Sequence, residues 1–373
     1  MTQRHHLASL DAFRGITVAG MILVNNPGNW NSVFEGISHA DWNGCTFADV
    51  VFPFFIFILG AAMPFAFARR LEGDSATRDL YARIVRRAVY LIALGLVLNF
   101  ISSMPMVAGM RIPGVLQRIA VVYVIAAILV LHLGPMRRTV LLIVLVLGHW
   151  ALLTLVPFGG GPAGLARAHN LSGFVDIAVF GRHILNPWGD PEGLLGTIPA
   201  VATALMGSVV GEWLRRHQSE VAAALRPGRL MAAGVAAAVA GILWARTLPL
   251  NKALWTGSFV MWTGGLATLS LAGCYLLLDV LDRRGWAAPF LWLGFNPLAV
   301  YFLSELFGDL SDKPWLHVGG QTLTFRSWLF WDVLRPFTSI GDEWLSLLVA
   351  VATVTIWIAV ARFLYVRKIR IQV

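Results

Sequence analysis

Apolar runs of about twenty residues recur from one end of this 373-residue chain to the other, and they restrict the fold more than any other feature. A hydrocarbon layer of about 30 Å is crossed by about 20 residues of helix. Backbone amides have no partner in lipid, so each crossing has to be helical. Ten runs fit that length: 8–27, 47–68, 84–103, 115–133, 139–157, 196–214, 229–248, 257–279, 286–307 and 342–364. Two Trp-rich stretches, 174–188 and 323–337, read as re-entrant or interfacial helices, and either raises the count to eleven. The expected fold class is therefore all-α, a polytopic transmembrane helix bundle of about ten to eleven spans. With no internal repeat and no low-complexity linker, residues 1–373 are expected to form a single transmembrane domain.

Composition agrees. Hydrophobic residues make up 57% of the chain and charged ones only 13%, against ~45–50% and ~25% in ordinary soluble domains. A soluble enzyme, a disordered chain and a coiled coil are excluded. The net charge of +9 would point to nucleic acid in a soluble protein. Here the basic residues sit in short clusters between apolar runs, which is the pattern of the positive-inside rule. Membrane lipid is thus the expected partner, and no nucleic acid. With both termini inside, cytoplasmic segments hold 20 of the 29 Lys and Arg residues, Arg4, Arg69, Arg70, Arg78, Arg138, Arg215 and Arg216 among them; the outer side holds 9. A multi-pass protein of a bacterial inner membrane with both termini cytoplasmic is expected. The opening MTQRHHLASLDAFRG runs into the first span with no small-residue cleavage site, so no signal peptide is expected. Cys45 and Cys274 show neither metal nor redox spacing and are assigned to packing, and no metal site is expected.

The polar residues that interrupt this pattern concentrate in the outer segments 28–46, 104–114, 158–195 and 308–341, which are longer or more polar than span linkers need. Chemistry is expected there. In the first span Asp11 and Arg14 stand three residues apart and share a helix face. They form either an interfacial pair or a pair in which Arg14 also meets an anionic cofactor group. Asn25 and Asn26 lie near the outer end of that span, before the Pro27–Gly28 break. The segment GISHADWNGCTFADVVF then places His39, Asp41, Trp42, Asn43, Thr46 and Asp49 before and inside span two. Asp49 lies one turn into an apolar helix and needs a partner there. His39 is the strongest candidate for proton transfer, because histidine alone has an unperturbed pKa suited to it near neutrality; a solvated structural role is the alternative.

RIPGVLQR puts Arg111 and Arg118 at the start of span four, as either structural ion pairs or an anion site. Asp190 and Glu192 in DPEGLLGTIP suit a helix N-terminus, and Lys252 precedes span eight. Glu305 is an intramembrane acid expected to face the bundle interior. Motifs of soluble enzymes do not appear: GGGP at 159–162 lacks the Lys-Ser/Thr of a phosphate loop.

SLDAFRG (9–15), LVNN (23–26), HADWNGCTFADVVFPFFIFILG (39–60), RIPGVLQR (111–118), DPEGLLGTI (190–198) and NKALW (251–255), in that order, resemble the heparan-α-glucosaminide N-acetyltransferase family of transmembrane acetyltransferases, lysosomal and bacterial. The resemblance implies transfer of an acetyl group from cytoplasmic acetyl-CoA, as co-substrate, to the amine of a glucosamine-type sugar across the membrane. It places the active-site histidine on His39 and the neighbouring active-site asparagine on Asn25, and it implies a homodimer. The chain shows no counterpart of the long luminal region of the lysosomal enzyme, and it has NPGN after Asn25 where that enzyme has a Gly-rich turn. Small amino sugars are therefore the expected acceptors.

On this basis His39 is expected to act as the base or as a transient acetyl carrier, and Asn25 as an oxyanion donor or a support for His39. Asp41 or Asp49 is expected to fix the histidine tautomer, with Asp11 as a further supporting acid. Arg14, Arg111 and Arg118 are candidates for the CoA phosphates, and Trp42, Asn43, Asp190, Glu192 and Lys252 for the sugar. An O-acyltransferase of surface glycans and a secondary sugar transporter using Asp49 and Glu305 are the alternatives. Against the transporter, the sequence shows no paired broken helices in two halves.

Overall fold

The apolar runs fold into helices that pass back and forth between two ends of one bundle. The structure, a computed structural model, describes residues 7–68, 76–216 and 226–371. Arg4, Arg69, Arg70 and the Arg78 side chain, all counted in the charge balance, lie outside the described residues. In chain order the elements are α1 (Ala8–Asn25), α2 (Phe47–Ala68), α3 (Ala76–Ser103), α4 (Val115–His132), α5 (Pro135–Leu155), a hairpin of β1 (Leu165–Ala166) and β2 (His169–Asn170), α6 (Leu171–Phe180), α7 (Leu194–Arg216), α8 (Arg226–Trp244), α9 (Gly257–Tyr275), α10 (Ala288–Phe295), α11 (Pro297–Ser311), a hairpin of β3 (Leu316–Val318) and β4 (Gln321–Leu323), α12 (Phe325–Trp328) and α13 (Asp342–Val366).

Among the described residues, eight helices are long and apolar enough to cross a membrane: α2, α3, α4, α5, α7, α8, α9 and α13. The pair α10–α11, bent by 77° at Asn296–Pro297, makes nine if counted as one span. By this measure the count falls short of the expected ten to eleven, for two physical reasons. First, α1 runs the length of the bundle, from the Asp279 carboxylate that caps Ala8 and Ser9 to Glu305 beside Asn25. Its Asp11, Arg14 and Asn25 take it outside an apolar test, and neighbours on all sides (α2, α9, α10, α11 and α13) spare it contact with lipid. Second, the two Trp-rich stretches are too short to cross. One is α6, with ten residues; the other is α12 followed by irregular turns through Phe337.

Close helix approach holds the centre. In lipid the apolar drive between helices is weak, and small residues that let backbones meet take its place. A Cβ on Gly60, Gly207 or Gly211 would sit 1.9, 1.9 or 2.1 Å from a carbonyl oxygen across the α2–α7 seam, so only glycine fits. Val18, Ile22, Ile56, Leu116, Ala204, Leu205, Trp255 and Phe259 are buried around that seam. Consequently α2, which carries Asp49, and α7, which follows Glu192, are locked in register, and the loops at one end inherit a fixed geometry.

Candidate active site

The site grows from the N-terminus of α2. Thr46 precedes the helix and Asp49 is its third residue, the spacing of a capping box. Asp49 Oδ2 accepts from the Thr46 amide (3.1 Å), the Thr46 hydroxyl (3.1 Å) and the Ala40 amide (3.0 Å). The other oxygen, Oδ1, lies 2.8 Å from His39 Nδ1. Asp49 is 2% exposed and the His39 side chain 50%. A buried carboxylate saturated in this way fixes the ring: Nδ1–H donates to Asp49, and Nε2 is left as the basic atom. Lys252 Nζ stands 3.2 Å from Nδ1, 3.4 Å from Nε2 and 3.8 Å from Asp49 Oδ1.

Two loops bring these groups together. Gly44, at φ +123°, donates its amide to Leu250 O at 2.8 Å, and Asn251 Nδ2 donates to Asn43 Oδ1 at 3.2 Å. Asn251 Oδ1 in turn accepts from the Leu254 amide. Asn43 therefore acts as a strut that presses the Lys252 turn against His39. Burial lowers the Lys252 ammonium from the usual lysine range, against the opposing pull of Glu192 and Asp49. Burial, with Asp49 adding to it, pushes the Cys45 thiol up to about 12, so Cys45 carries no thiolate near neutrality and packs as expected.

A second set stands beside the first. Arg111 Nε and Nη2 hold Asp190 at 2.7 and 2.5 Å, and Nη2 also contacts Glu192. The three form a largely buried cluster that carries one surplus negative charge. Burial opposes the Glu192 charge, yet Arg111, Arg118 and Lys252 together hold its carboxyl below the usual range. Glu192 thus links this cluster electrostatically to Lys252. Arg118 is 2% exposed. It donates Nη2 to Gly193 O at 2.8 Å and lies over the Trp255 ring at 5.2 Å. Its Nε and Nη1 meet no acceptor among the described residues.

Several expected roles move. Asp41 is 94% exposed and pairs with Arg167 at 2.6 Å, so Asp49 is the residue that orients His39. Arg111 spends its Nε and Nη2 donors on Asp190 and Glu192, so that edge of its guanidinium is taken by carboxylates of the chain rather than by a phosphate. Asp190 and Glu192 are held by that arginine, and the carboxylate that caps α7 is Asp176, buried in α6, whose Oδ1 accepts from the Leu194 amide at 2.9 Å. Asp11 and Arg14 pair at 2.9 Å, but at the opposite end of α1 from His39. Asn25 donates to Glu305 Oε1 at 2.8 Å, with no direct bond to His39. The Tyr301 phenol, buried in α11, lies within charge-interaction range of Glu305, Glu192 and Arg111. Trp42 donates to Leu165 O and meets Trp188 edge-on at 5.0 Å, forming an aromatic wall.

Tyr301 and Asp176 escaped the sequence. An acid in the otherwise apolar GFVDIAVF was the available signal for Asp176; nothing local marks Tyr301, whose position depends on how α11 packs after the bend at Asn296–Pro297.

Comparison with known proteins places the chain in a family. Residues 6–242 match the family model described as heparan-alpha-glucosaminide N-acetyltransferase, catalytic, a stretch that holds His39, Asp49, Arg111, Arg118, Asp190 and Glu192. The chain is 29% identical over 369 residues to the human heparan-alpha-glucosaminide N-acetyltransferase, covering 83% of this chain and 54% of that protein. It is 27% identical over 374 residues to the mouse protein of the same name, covering 83% and 55%. The chain thus spans about half the length of the curated relatives it matches. With more than half of its residues matched by the family model, the chain belongs to the heparan-alpha-glucosaminide N-acetyltransferase catalytic family.

Proposed function

We propose that this chain transfers an acetyl group from acetyl-CoA to the amine of a glucosamine-type sugar at the outer face of a bacterial inner membrane, with His39 as the general base. The observation that carries the proposal is the 2.8 Å contact between His39 Nδ1 and the buried Asp49 carboxylate. It commits Nδ1 to a structural bond and leaves Nε2, with Lys252 Nζ 3.4 Å away, as the ring nitrogen for proton transfer.

In the step, His39 Nε2 accepts the proton that the amine loses as its nitrogen bonds to the acetyl carbon. The carbon–sulfur bond breaks, and His39 returns that proton to the departing thiolate. The products are the N-acetyl sugar and free CoA, and the histidine is restored. Lys252 is the cation beside the dyad and stabilises the negative charge that develops on the carbonyl oxygen. Asn25, held by Glu305, is a second candidate donor for that oxygen. The two unpartnered nitrogens of Arg118 suit an anionic group of the acetyl donor. The Trp42–Trp188 wall suits the apolar face of a sugar ring. The assembly proposed is a homodimer.

Topology supports the orientation. The first and last described residues lie at the end of the bundle away from His39, where Ala8 meets Asp279 and Asn296 holds Ile369 and Ile371. The excess of basic residues on that side supports the reading of it as the cytoplasmic one.

Purified protein in detergent, given acetyl-CoA and glucosamine, tests the proposal through free CoA and the mass of the sugar. Equal amounts of CoA and N-acetylglucosamine, lost in a folded His39→Ala variant, are expected. Folded protein that releases no CoA with any amino sugar overturns the proposal.

A further inference from the structure

At the end of the bundle away from His39, a cavity of about 280 Å³ opens between α2, α4, α5 and α7. A single water needs only roughly 10–15 Å³ of such space. Three arginines line it, Arg138, Arg215 and Arg216, against one carboxylate, Glu212. Glu212 Oε1 accepts from Arg215 Nη2 at 2.9 Å and from Arg216 Nε at 2.7 Å, the i+3 and i+4 neighbours on its own helix. That carboxylate is then largely committed. Arg138 comes only to 3.9 Å from Oε2, beyond hydrogen-bond distance, although it is 3% exposed. It donates Nη1 to Ser208 O at 3.3 Å, and its Nε meets no acceptor among the described residues. The Nε of Arg215 is also buried without one.

A buried guanidinium left with free donors is expensive unless an anion meets it. Two further features point to the same ligand. The cavity lies at the N-terminus of α5, where Gly134 supplies no side-chain cap and Pro135 opens the helix, so first-turn amides face outward with the positive end of the helix dipole. The charge of the wall is +2, three guanidiniums against one carboxylate. Phe67 and Val130 provide an apolar floor beside it.

We infer that this cavity is a binding site for a phosphate group, held by Arg138, Arg215, Arg216 and the first turn of α5. Planar guanidiniums match phosphate oxygens two at a time. The group can come from an anionic lipid headgroup, since the cavity lies at a helix-end surface, or from a soluble nucleotide phosphate. The site does not depend on the proposed acetyl transfer, and its test reads binding alone.

Two probes separate the sources. Equilibrium dialysis of the detergent-solubilised chain with adenosine 3′,5′-bisphosphate tests a soluble phosphate. Mass spectrometry of the intact protein released from phosphatidylglycerol nanodiscs, against phosphatidylcholine ones, tests a lipid headgroup. Saturable binding of either probe, weakened about tenfold or more in Arg216→Gln, supports the site. Arg216 is more than half exposed, so that variant is expected to fold; Arg138→Gln is the stronger but more disruptive change. Arg229→Gln, an exposed arginine at the same end that does not line the cavity, is expected to bind both probes as the unchanged protein does. Folded protein that binds neither probe, or binds them equally well in both cavity variants, overturns the inference.

Discussion

The two ends of this bundle are built by the same helices and treat charge in opposite ways. Where α2, α4 and α7 begin, carboxylates are in excess: Asp49 holds His39, and Asp190 and Glu192 surround Arg111. Where those helices finish, arginine is in excess, with one Glu212 among three guanidiniums. At the first end most polar atoms are answered from within the chain, so the His39 geometry is preorganised. At the second, buried donors remain open. Arg118 is the exception at the first end. In the readings proposed above, the first end acts on a ligand and the second is completed by one.

The largest effect that tests this contrast is His39→Ala, expected to lower kcat by about 10³-fold or more with the melting temperature unchanged. Asp49→Asn is expected to follow it in activity while also loosening the α2 cap. If both variants transfer acetyl normally, the carboxylate-rich end is not the reacting one. Lys252→Gln comes next, at about 10²-fold in kcat with a smaller change in KM, measured by steady-state CoA release. An effect confined to KM would move Lys252 from the developing oxyanion to the sugar. Gly207→Leu attacks both ends at once, because α2 and α7 carry elements of each. It is expected to lower unfolding stability by about 2 kcal/mol or more in detergent, and retention of full stability would show that the seam can open.

Glu192 offers a pH-resolved test. Its folded pKa is held below the ordinary value, so its contribution is fully present above the unfolded pKa near 4.3 and fades as pH falls through the lowered folded value. The melting-temperature gap between the unchanged protein and Glu192→Gln should be constant from about pH 6 to 8 and close below about pH 4. A gap that persists in acid would mean that shape rather than charge sets it. The smallest effect belongs to Asp41→Ala, whose side chain is 94% exposed; activity and melting temperature are expected to stay the same, and a tenfold loss of activity would return the tautomer role to Asp41.

Much of this was legible in one dimension. Span after span falls where apolar length predicts it, because hydrocarbon thickness acts on each helix separately. Asp49 was visible as an acid inside an apolar run, and His39 and Lys252 as polar residues just outside the spans. Their partners were less so. Asp41 lies two positions from His39 and Asp49 ten, yet the capping turn at Thr46 buries the farther acid while the nearer one stays in solvent. Arg111 and Arg118 lie in one motif, yet one is claimed by Asp190 and Glu192, 79 and 81 positions away, while two nitrogens of the other meet no acceptor among the described residues. Length alone located α1, expected at 8–27 and found at Ala8–Asn25, but whether so polar a helix faces lipid is a property of its neighbours.

By itself the sequence determined that the chain is a helical membrane bundle, which of its end segments hold the polar groups, and which family its motifs resemble, since these follow from local length, composition and order. The pairing of those groups was decided by the tertiary structure. Glycine seams set α2 and α7 in register, the packing of α11 after the bend at Asn296–Pro297 brings Glu305 to Asn25 and Tyr301 within charge-interaction range of Arg111, and the Asn43–Asn251 contact presses Lys252 onto His39. Charges separated by a hundred or more residues interact only across angstroms, and that distance exists only once the helices are packed.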